Sequence, residues 1–256
     1  MSVRQLSSLS TYSQPTMRRI LAYWLQREPK SVRLGTEHRN LIFDGTFLRK
    51  RKGVYAAMNG LTHKLIYGAY GINEGPRDLL KFCIYLKSNG IEPESITIDG
   101  NPHIYKVIKT LWTGCIIQRC LVHVQRQGLS WCRRNPKRTD AVKLRQLFLK
   151  VCNINTEEQS RDFVEKFTLW EKRYGKKIDL IKNRGWVASD LQRARSMLIK
   201  AIPFMFNYIK YQNIPSTTNA IEGYFSRLKQ QYRKHKGLSK INQQYYFKWY
   251  FKLCPK

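Results

Sequence analysis

The sequence predicts an α/β fold: a mixed five-stranded sheet with flanking helices, interrupted by an all-helical insertion. Three observations predict it. Three short β-branched and aromatic runs follow one another between residues 41 and 72. Strand and helix patterns then alternate as far as residue 118. From 121 to 212 the apolar residues recur only at helical spacing. A meander followed by strand–helix–strand alternation favours a mixed sheet with helical cover.

Residues 1–36 read as a leader, either a packing segment or the remnant of a DNA-binding region. Within it, Thr16–Leu25 has the pattern of a short helix, with Thr16 as N-cap and Pro29 as its stop. A packing helix is the preferred reading over the last helix of a helix-turn-helix. Leu41–Leu48, Val54–Asn59 and Leu65–Ile72 follow as strands, separated by Arg49-Lys50-Arg51-Lys52-Gly53 and Asn59-Gly60. Gly75-Pro76 opens a helix in which Leu79, Leu80, Phe82, Cys83 and Leu86 fall at helical spacing, and Asn89-Gly90 closes it. Ser95–Asp99 is a fourth strand, Pro102–Trp112 a helix and Cys115–Gln118 a fifth strand.

The helical stretch shows Val142, Leu144, Leu147, Phe148 and Val151, then Phe163, Phe167 and Trp170, then Leu191 to Ile202 ahead of Pro203. Thr217-Thr218 cap a long helix that carries Glu222, with Ile221, Phe225 and Leu228 on its core side and Gly237 as its end. Ile241–Leu253 forms a last, aromatic-rich helix. The expected division is a leader (1–36), a first part of the sheet domain (37–124), a helical insertion (125–212) and a last part of the sheet domain (213–256).

Of the 256 residues 42% are hydrophobic, enough for a sizeable core. Lys and Arg number 47 against 17 Asp and Glu, a formal charge of +30 spread along the chain. A polyanion is the partner such a balance implies. A membrane is not, since no run approaches the roughly 18–20 apolar residues that cross a bilayer. No signal-peptide layout opens the chain. The six cysteines are irregularly spaced and read as reduced thiols, in keeping with a cytoplasmic, nucleoid-associated protein.

Against this basic background three acids stand out. Asp44 lies mid-strand in Leu41-Ile42-Phe43-Asp44-Gly45-Thr46-Phe47, Asp99 ends Ser95-Ile96-Thr97-Ile98-Asp99, and Glu222 lies in Thr217-Thr218-Asn219-Ala220-Ile221-Glu222-Gly223. A carboxylate on an apolar strand is costly unless a cation or proton neutralises it. If the first and fourth strands are neighbours, Asp44 and Asp99 reach one ligand, and a helix across the sheet adds Glu222. Hard oxygen donors suit Mg²⁺ or Mn²⁺, and two such ions about 3.5–4 Å apart support phosphoryl transfer. Two of the three also have a plainer reading. Asp99-Gly100 is a common turn pair, and Glu222 is as readily a solvated residue or an ion-pair partner of Arg227 or Lys229.

Phe43-Asp44-Gly45-Thr46, Ile98-Asp99-Gly100-Asn101, Cys120-Leu121-Val122-His123 and Thr217-Thr218-Asn219-Ala220-Ile221-Glu222-Gly223, followed by Lys234-His235-Lys236-Gly237-Leu238, together resemble the DDE transposases of bacterial insertion sequences in the Mutator superfamily. The resemblance spans about residues 40–245. It implies an RNase H-like fold with a helical insertion ahead of the last catalytic helix. It implies Asp44, Asp99 and Glu222 as catalytic residues holding two Mg²⁺ (or Mn²⁺) ions. The implied chemistry is hydrolysis of a phosphodiester at an element end, then attack of the freed 3′-hydroxyl on target DNA. The partners implied are double-stranded DNA, as terminal inverted repeats and as target, and a second copy of the chain on paired ends. Family members carry a larger N-terminal region that recognises the inverted repeats. About 36 residues precede the first strand here, without a Cys-x-x-Cys, so the chain is expected to be a short member, a fragment or the product of an interrupted gene.

Supporting roles fall to Cys120, His123 and Asn219. Cys120 packs, while His123 contacts the scissile phosphate region, orients a metal-bound water, or belongs to a structural pair at a helix start. Asn219 holds the start of the Glu222 helix in register. A zinc site from Cys115, Cys120, His123 and Cys132 is disfavoured, because the spacing matches no common zinc template. Basic residues interleave with aromatics over 126–138, 166–184 and 227–236. Arg126, Arg227, Arg233, Lys234 and Lys236 are the candidate DNA-binding cations. Trp131, Trp170 and Trp186 either stack on unpaired bases or are core, and core is expected for at least two. The rival functions are a stand-alone RNase H-like nuclease, which cleaves without strand transfer, and a non-catalytic, domesticated DNA-binding protein.

Overall fold

The structure is a computed structural model that describes residues 3–30, 34–35, 37–48, 53–179, 186–235 and 237–255, with backbone only for 179 and 186–188. At its centre is a five-stranded mixed sheet. β1 (Asn40–Phe47), β2 (Gly53–Asn59) and β3 (Leu65–Ile72) form an antiparallel meander, while β4 (Ser95–Ile98) and β5 (Ile116–Arg119) run parallel to β1. The strand order is β3-β2-β1-β4-β5. β1 is therefore central, and Leu41 lies opposite both Met58's neighbour Asn59 and Ile96.

The helices before and between these elements are α1 (Val3–Ser8), α2 (Gln14–Leu25), α3 (Pro76–Ser88) and α4 (Pro102–Leu111). After β5 come α5 (Leu121–Cys132), α6 (Thr139–Lys150), α7 (Glu157–Trp170), α8 (Lys176–Asp179), α9 (Trp186–Ala201) and α10 (Asn207–Lys210), and finally α11 (Asn219–Tyr232) and α12 (Lys240–Leu253). A π-helical turn, Glu171–Gly175, joins α7 to α8.

Strand period decides which side each residue serves. Leu41 and Phe43 of β1 join Tyr55, Ile96, Ile98 and Ile117 in a core closed by Leu79, Phe82 and Leu86 of α3 and by Ile104 and Ile108 of α4. Ile42 faces the other way, with Val54, Ala56 and Met58, into a second core made with Ile221, Tyr224, Phe225 and Leu228 of α11 and Phe247 of α12. Asp44, two residues after Ile42, thus falls on the α11 side of the sheet. The helices from α5 to α9 share a third core, from Leu121 and Val124 through Phe148, Phe167 and Trp170 to Leu198 and Met205.

Helix ends differ from the sequence expectation in three places, the first being α11, which ends at Tyr232 and not at Gly237. Ser13, not Thr16, caps α2: its hydroxyl accepts from the Thr16 N–H at 3.4 Å, with Pro15 in the first turn. Proline is at home there, since its missing N–H has no intrahelical partner to lose. Thr218 sits at the N-cap position of α11 but its side chain makes no capping bond. β5 is one residue later than read from sequence and includes Arg119.

The helical core is held by close approach of α5 to α6. A Cβ on Gly128 would lie 2.2 Å from Cε1 of Phe148, which is fully buried. Gly128→Ala should therefore lower stability by about 1–2 kcal/mol, because overpacking exceeds the gain of about 1 kcal/mol in helix propensity. In a Phe148→Ala background the same change should stabilise. Urea unfolding of the four variants checks this reversal of sign.

Candidate metal centre

Glu222 reaches the sheet because the segment leading into α11 is tied to the sheet's centre. The Thr97 hydroxyl of β4 donates to the Pro215 carbonyl at 2.6 Å, and the Leu121 N–H donates to the Ser216 carbonyl at 3.0 Å. Cys120, fully buried at the start of α5, accepts at its sulfur from the Thr218 N–H (3.3 Å) and the Thr218 hydroxyl (3.4 Å). The same sulfur is 3.3 Å from Nδ1 of His123. Thr218 fails as a side-chain cap because its hydroxyl is turned inward to this sulfur. One turn into α11, Glu222 then lies over β1.

Ligand atoms of Asp44, His123 and Glu222 lie within 4.8 Å of one another. Asp44 is 7% exposed, and one carboxylate oxygen accepts from the Gly45 N–H at 2.8 Å. Glu222 Oε1 is buried and accepts no hydrogen bond among the described residues. Nε2 of His123 lies 3.7 Å from this oxygen, while Arg126 stands 3.5 Å from Oε2. The sequence reading gave Glu222 to Arg227 or Lys229 in its plain alternative; the ion-pair partners are His123 and Arg126 instead.

Asp99 stands just past β4, outside that group of three. It lines a small recess with Asp44, Glu74, Tyr55 and Asn101. Its Oδ1 accepts from the Asn101 N–H at 3.0 Å, and the Asn101 amide donates to Glu74 at 3.0 Å. Asn101 also caps α4. Sequence reasoning missed Glu74 and Arg119, and read Thr218 only as a helix cap. Arg119 had a signal: it ends a strand parallel to β4, opposite Ile98, and so must arrive beside Asp99.

Electrostatics report the crowding of acids. Burial first, then the neighbouring charge of Asp99, raises Asp44 to about 7, with Glu222 adding and the Gly45 N–H and His123 opposing. The hydrogen bond to Cys120 raises His123 to about 9, against its burial, with Cys120, Asp44 and Glu222 adding their charge. Cys120 is pushed up by burial but drawn down further by its bonds with His123 and Thr218, and it ends below the usual thiol value.

The remaining expected residues are placed as follows. Asn219, the first residue of α11, is exposed, and its amide makes no hydrogen bond among the described residues, so Thr218 and not Asn219 ties the helix start. Arg227, Arg233 and Lys234 are exposed on α11 and the turn after it. Lys236 lies outside the described residues, as does the side chain of Trp186. Trp170 is buried and Trp131 packs against the helical core, which supports their reading as core. Cys115 and Cys132 are buried in different cores, apart from Cys120 and His123, so the four make no zinc site.

A family model described as "Transposase, Mutator family" matches residues 63–240. No curated protein matches the sequence. With the match covering more than half of its length, the chain belongs to the Mutator family of transposases. The matched span contains Asp99, Cys120, His123 and Glu222, while Asp44 precedes it. No helix among the described residues is long and apolar enough to cross a membrane.

The raised Asp44 pKa has a definite sign for stability. In the unfolded chain the carboxyl ionises near 3.9, so between about 4 and 7 the folded state holds the extra proton. Stability of the metal-free protein therefore falls as pH rises through that window, on the order of 4 kcal/mol for this group. Asp44→Asn, which keeps an acceptor for Gly45, should be more stable than the parent above pH 7 in a chelator. Below pH 4 the two should match. Urea unfolding at the two pH values measures the difference, and a constant gap would refute it.

Proposed function

We propose that this chain is the catalytic body of a metal-dependent DNA transposase with an RNase H-like sheet and a helical insertion, in which Asp44, Asp99 and Glu222 hold two Mg²⁺ or Mn²⁺ ions. The observation that carries the reading is the convergence of Asp44 and Glu222, from a central strand and a helix far apart in the chain, on one point of the sheet. The strand order 3-2-1-4-5 with an antiparallel β1–β2–β3 half and a parallel β1–β4–β5 half supports the fold.

The donors fit a hard divalent cation. Two carboxylates and an imidazole meet within reach, one buried carboxylate oxygen lacks a hydrogen bond among the described residues, and burial with the neighbouring charge of Asp99 raises Asp44 to about 7. Asp44 and Glu222 would hold one ion, and Asp99, whose charge already acts on Asp44, would share in the second. Bound, the ions would polarise the phosphodiester and lower the pKa of the attacking water or 3′-hydroxyl.

The protein's own groups do the rest. His123, anchored through Nδ1 to Cys120, holds Nε2 toward Glu222 and keeps its carboxylate turned to the sheet. Arg126, mostly exposed, is free to leave its long contact with Glu222 for a phosphate oxygen. Arg227, Arg233 and Lys234 line the approach along α11 and contact backbone phosphates of duplex DNA. Two element ends must meet, so the working form is at least a homodimer, acting on DNA in the cytoplasm.

Asp44→Asn and Glu222→Gln should each abolish Mn²⁺-dependent cleavage and joining of an element end, at least a thousand-fold, while duplex affinity changes less than about three-fold. Calorimetry with Mn²⁺, gel assays of cleavage and joining, and a salt series for DNA binding read these out together. Cleavage without joining would assign the chain to nucleases. No Mn²⁺ binding that depends on Asp44 would reduce it to a DNA-binding protein.

A further inference from the structure

A cleft on the helical unit is lined by two stripes from neighbouring helices. Lys143, Leu147 and Lys150 recur at helical spacing along α6. Lys166, Leu169, Trp170 and Arg173 do the same along α7 and the π-helical turn that continues it. Tyr174, next in that turn, joins them. The volume is about 400 Å³, within the range of small-ligand sites.

Among the described residues this lining holds four cations and no acid. Lys166 is paired with Asp162, one turn earlier, at 2.7 Å. Lys143 and Arg173 stand instead over the Tyr174 ring, 6.0 and 5.5 Å from its centre, at the outer reach of a cation–π contact. Glu171, the acid of the π-helical turn, is taken by α9: Nε of Arg195 donates to its two carboxylate oxygens at 3.0 and 2.7 Å. The floor between the cations is apolar. Leu169 is 60% exposed, Tyr174 is half-buried, and Trp170 spends its Nε1 donor inward on the Asp140 carbonyl at 2.9 Å. Gathered cations repel one another, and an exposed leucine is left in water. A ligand with several negative charges and a flat apolar body relieves both. Duplex DNA keeps its base faces stacked inside and offers such a cleft only phosphates. An unpaired strand offers phosphates and bare base faces together.

We propose that this cleft is a second DNA site, which takes an unpaired strand: phosphates on Lys143, Lys150 and Arg173, and a base or sugar against Leu169, Trp170 and Tyr174. It lies on α6, α7 and the π-helical turn, whereas the metal centre is carried by β1, α5 and α11. It is also distinct from the duplex contacts assigned to the cations of α11. Strand binding here requires neither a bound metal nor cleavage.

Fluorescence anisotropy on the full chain in a chelator tests it, with an oligo(dT) of about twelve nucleotides and with a duplex of equal length. Lys143→Ala/Lys150→Ala should weaken oligo(dT) binding about ten-fold and flatten the slope of log affinity against log salt by about 1.4, two phosphates at about 0.7 each. Duplex affinity should change less than about three-fold. Lys172→Ala/Lys177→Ala removes the same charge from exposed positions outside the cleft and should leave oligo(dT) within about two-fold of the parent. Leu169→Ser, uncharged and exposed, should weaken oligo(dT) about three-fold and leave the duplex alone. Equal losses from the two lysine pairs would reduce the effect to the general charge of the chain and overturn the proposal. Equal losses for oligo(dT) and duplex would assign the cleft to duplex backbone and overturn it as well. An oligo(dT) carrying 4-thiothymidine should cross-link on irradiation within residues 166–174 of the parent, located by mass spectrometry. Cross-links confined to other segments would overturn the site without recourse to any variant. A parent that binds no Mn²⁺ would end the metal-centre reading and leave all these outcomes as stated.

Discussion

The tie between Cys120 and Thr218 is the contact on which the arrangement of this molecule depends. It joins the start of α5, just beyond β5, to the start of α11, after the whole helical unit has intervened. Hydrogen bonds to sulfur are individually weak. Here they are buried, they come in a set with Thr97–Pro215 and Leu121–Ser216, and breaking one leaves a polar group stranded. With α11 held at this point, Ile221, Tyr224, Phe225 and Leu228 fall into the core against β1 and β2, and Glu222 is carried to the sheet's centre. The His123 that shares the sulfur is thereby aimed at the same place.

The second constraint is charge. Asp44 and Glu222 come together in a chain of +30, and His123 and Arg126 stand beside Glu222. Asp44, the most buried, has only the Gly45 N–H and the more distant His123, and it takes up a proton instead. Under the proposed function a divalent cation is the species that would balance this centre.

Much of this was legible in the residues. The apolar run Leu41-Ile42-Phe43 between charged and Gly-containing turns gave β1, but not which residue faces which core, because a strand buried on both sides carries no alternation. The helical register of α11 gave Ile221, Phe225 and Leu228. What was not legible depended on contacts far along the chain. Thr218 looks like a cap and is instead a partner of Cys120. Thr16 looks like a cap, but Pro15 is tolerated in the first turn and the helix begins earlier, at Ser13. Arg119 was left out of β5 because a charged residue at a strand tip carries no hydrophobic signal. His123 joins the acids more closely than Asp99 does, since α5 turns back over β1 while Asp99 sits beyond the end of β4.

The central claim is that Asp44 and Glu222 share a divalent cation. Anomalous diffraction from crystals of the protein soaked in Mn²⁺ addresses it directly. The account predicts a peak bonded to an Asp44 oxygen and a Glu222 oxygen, and none there in Asp44→Asn. Manganese bound elsewhere on the chain, with the Asp44–Glu222 position empty, would contradict it.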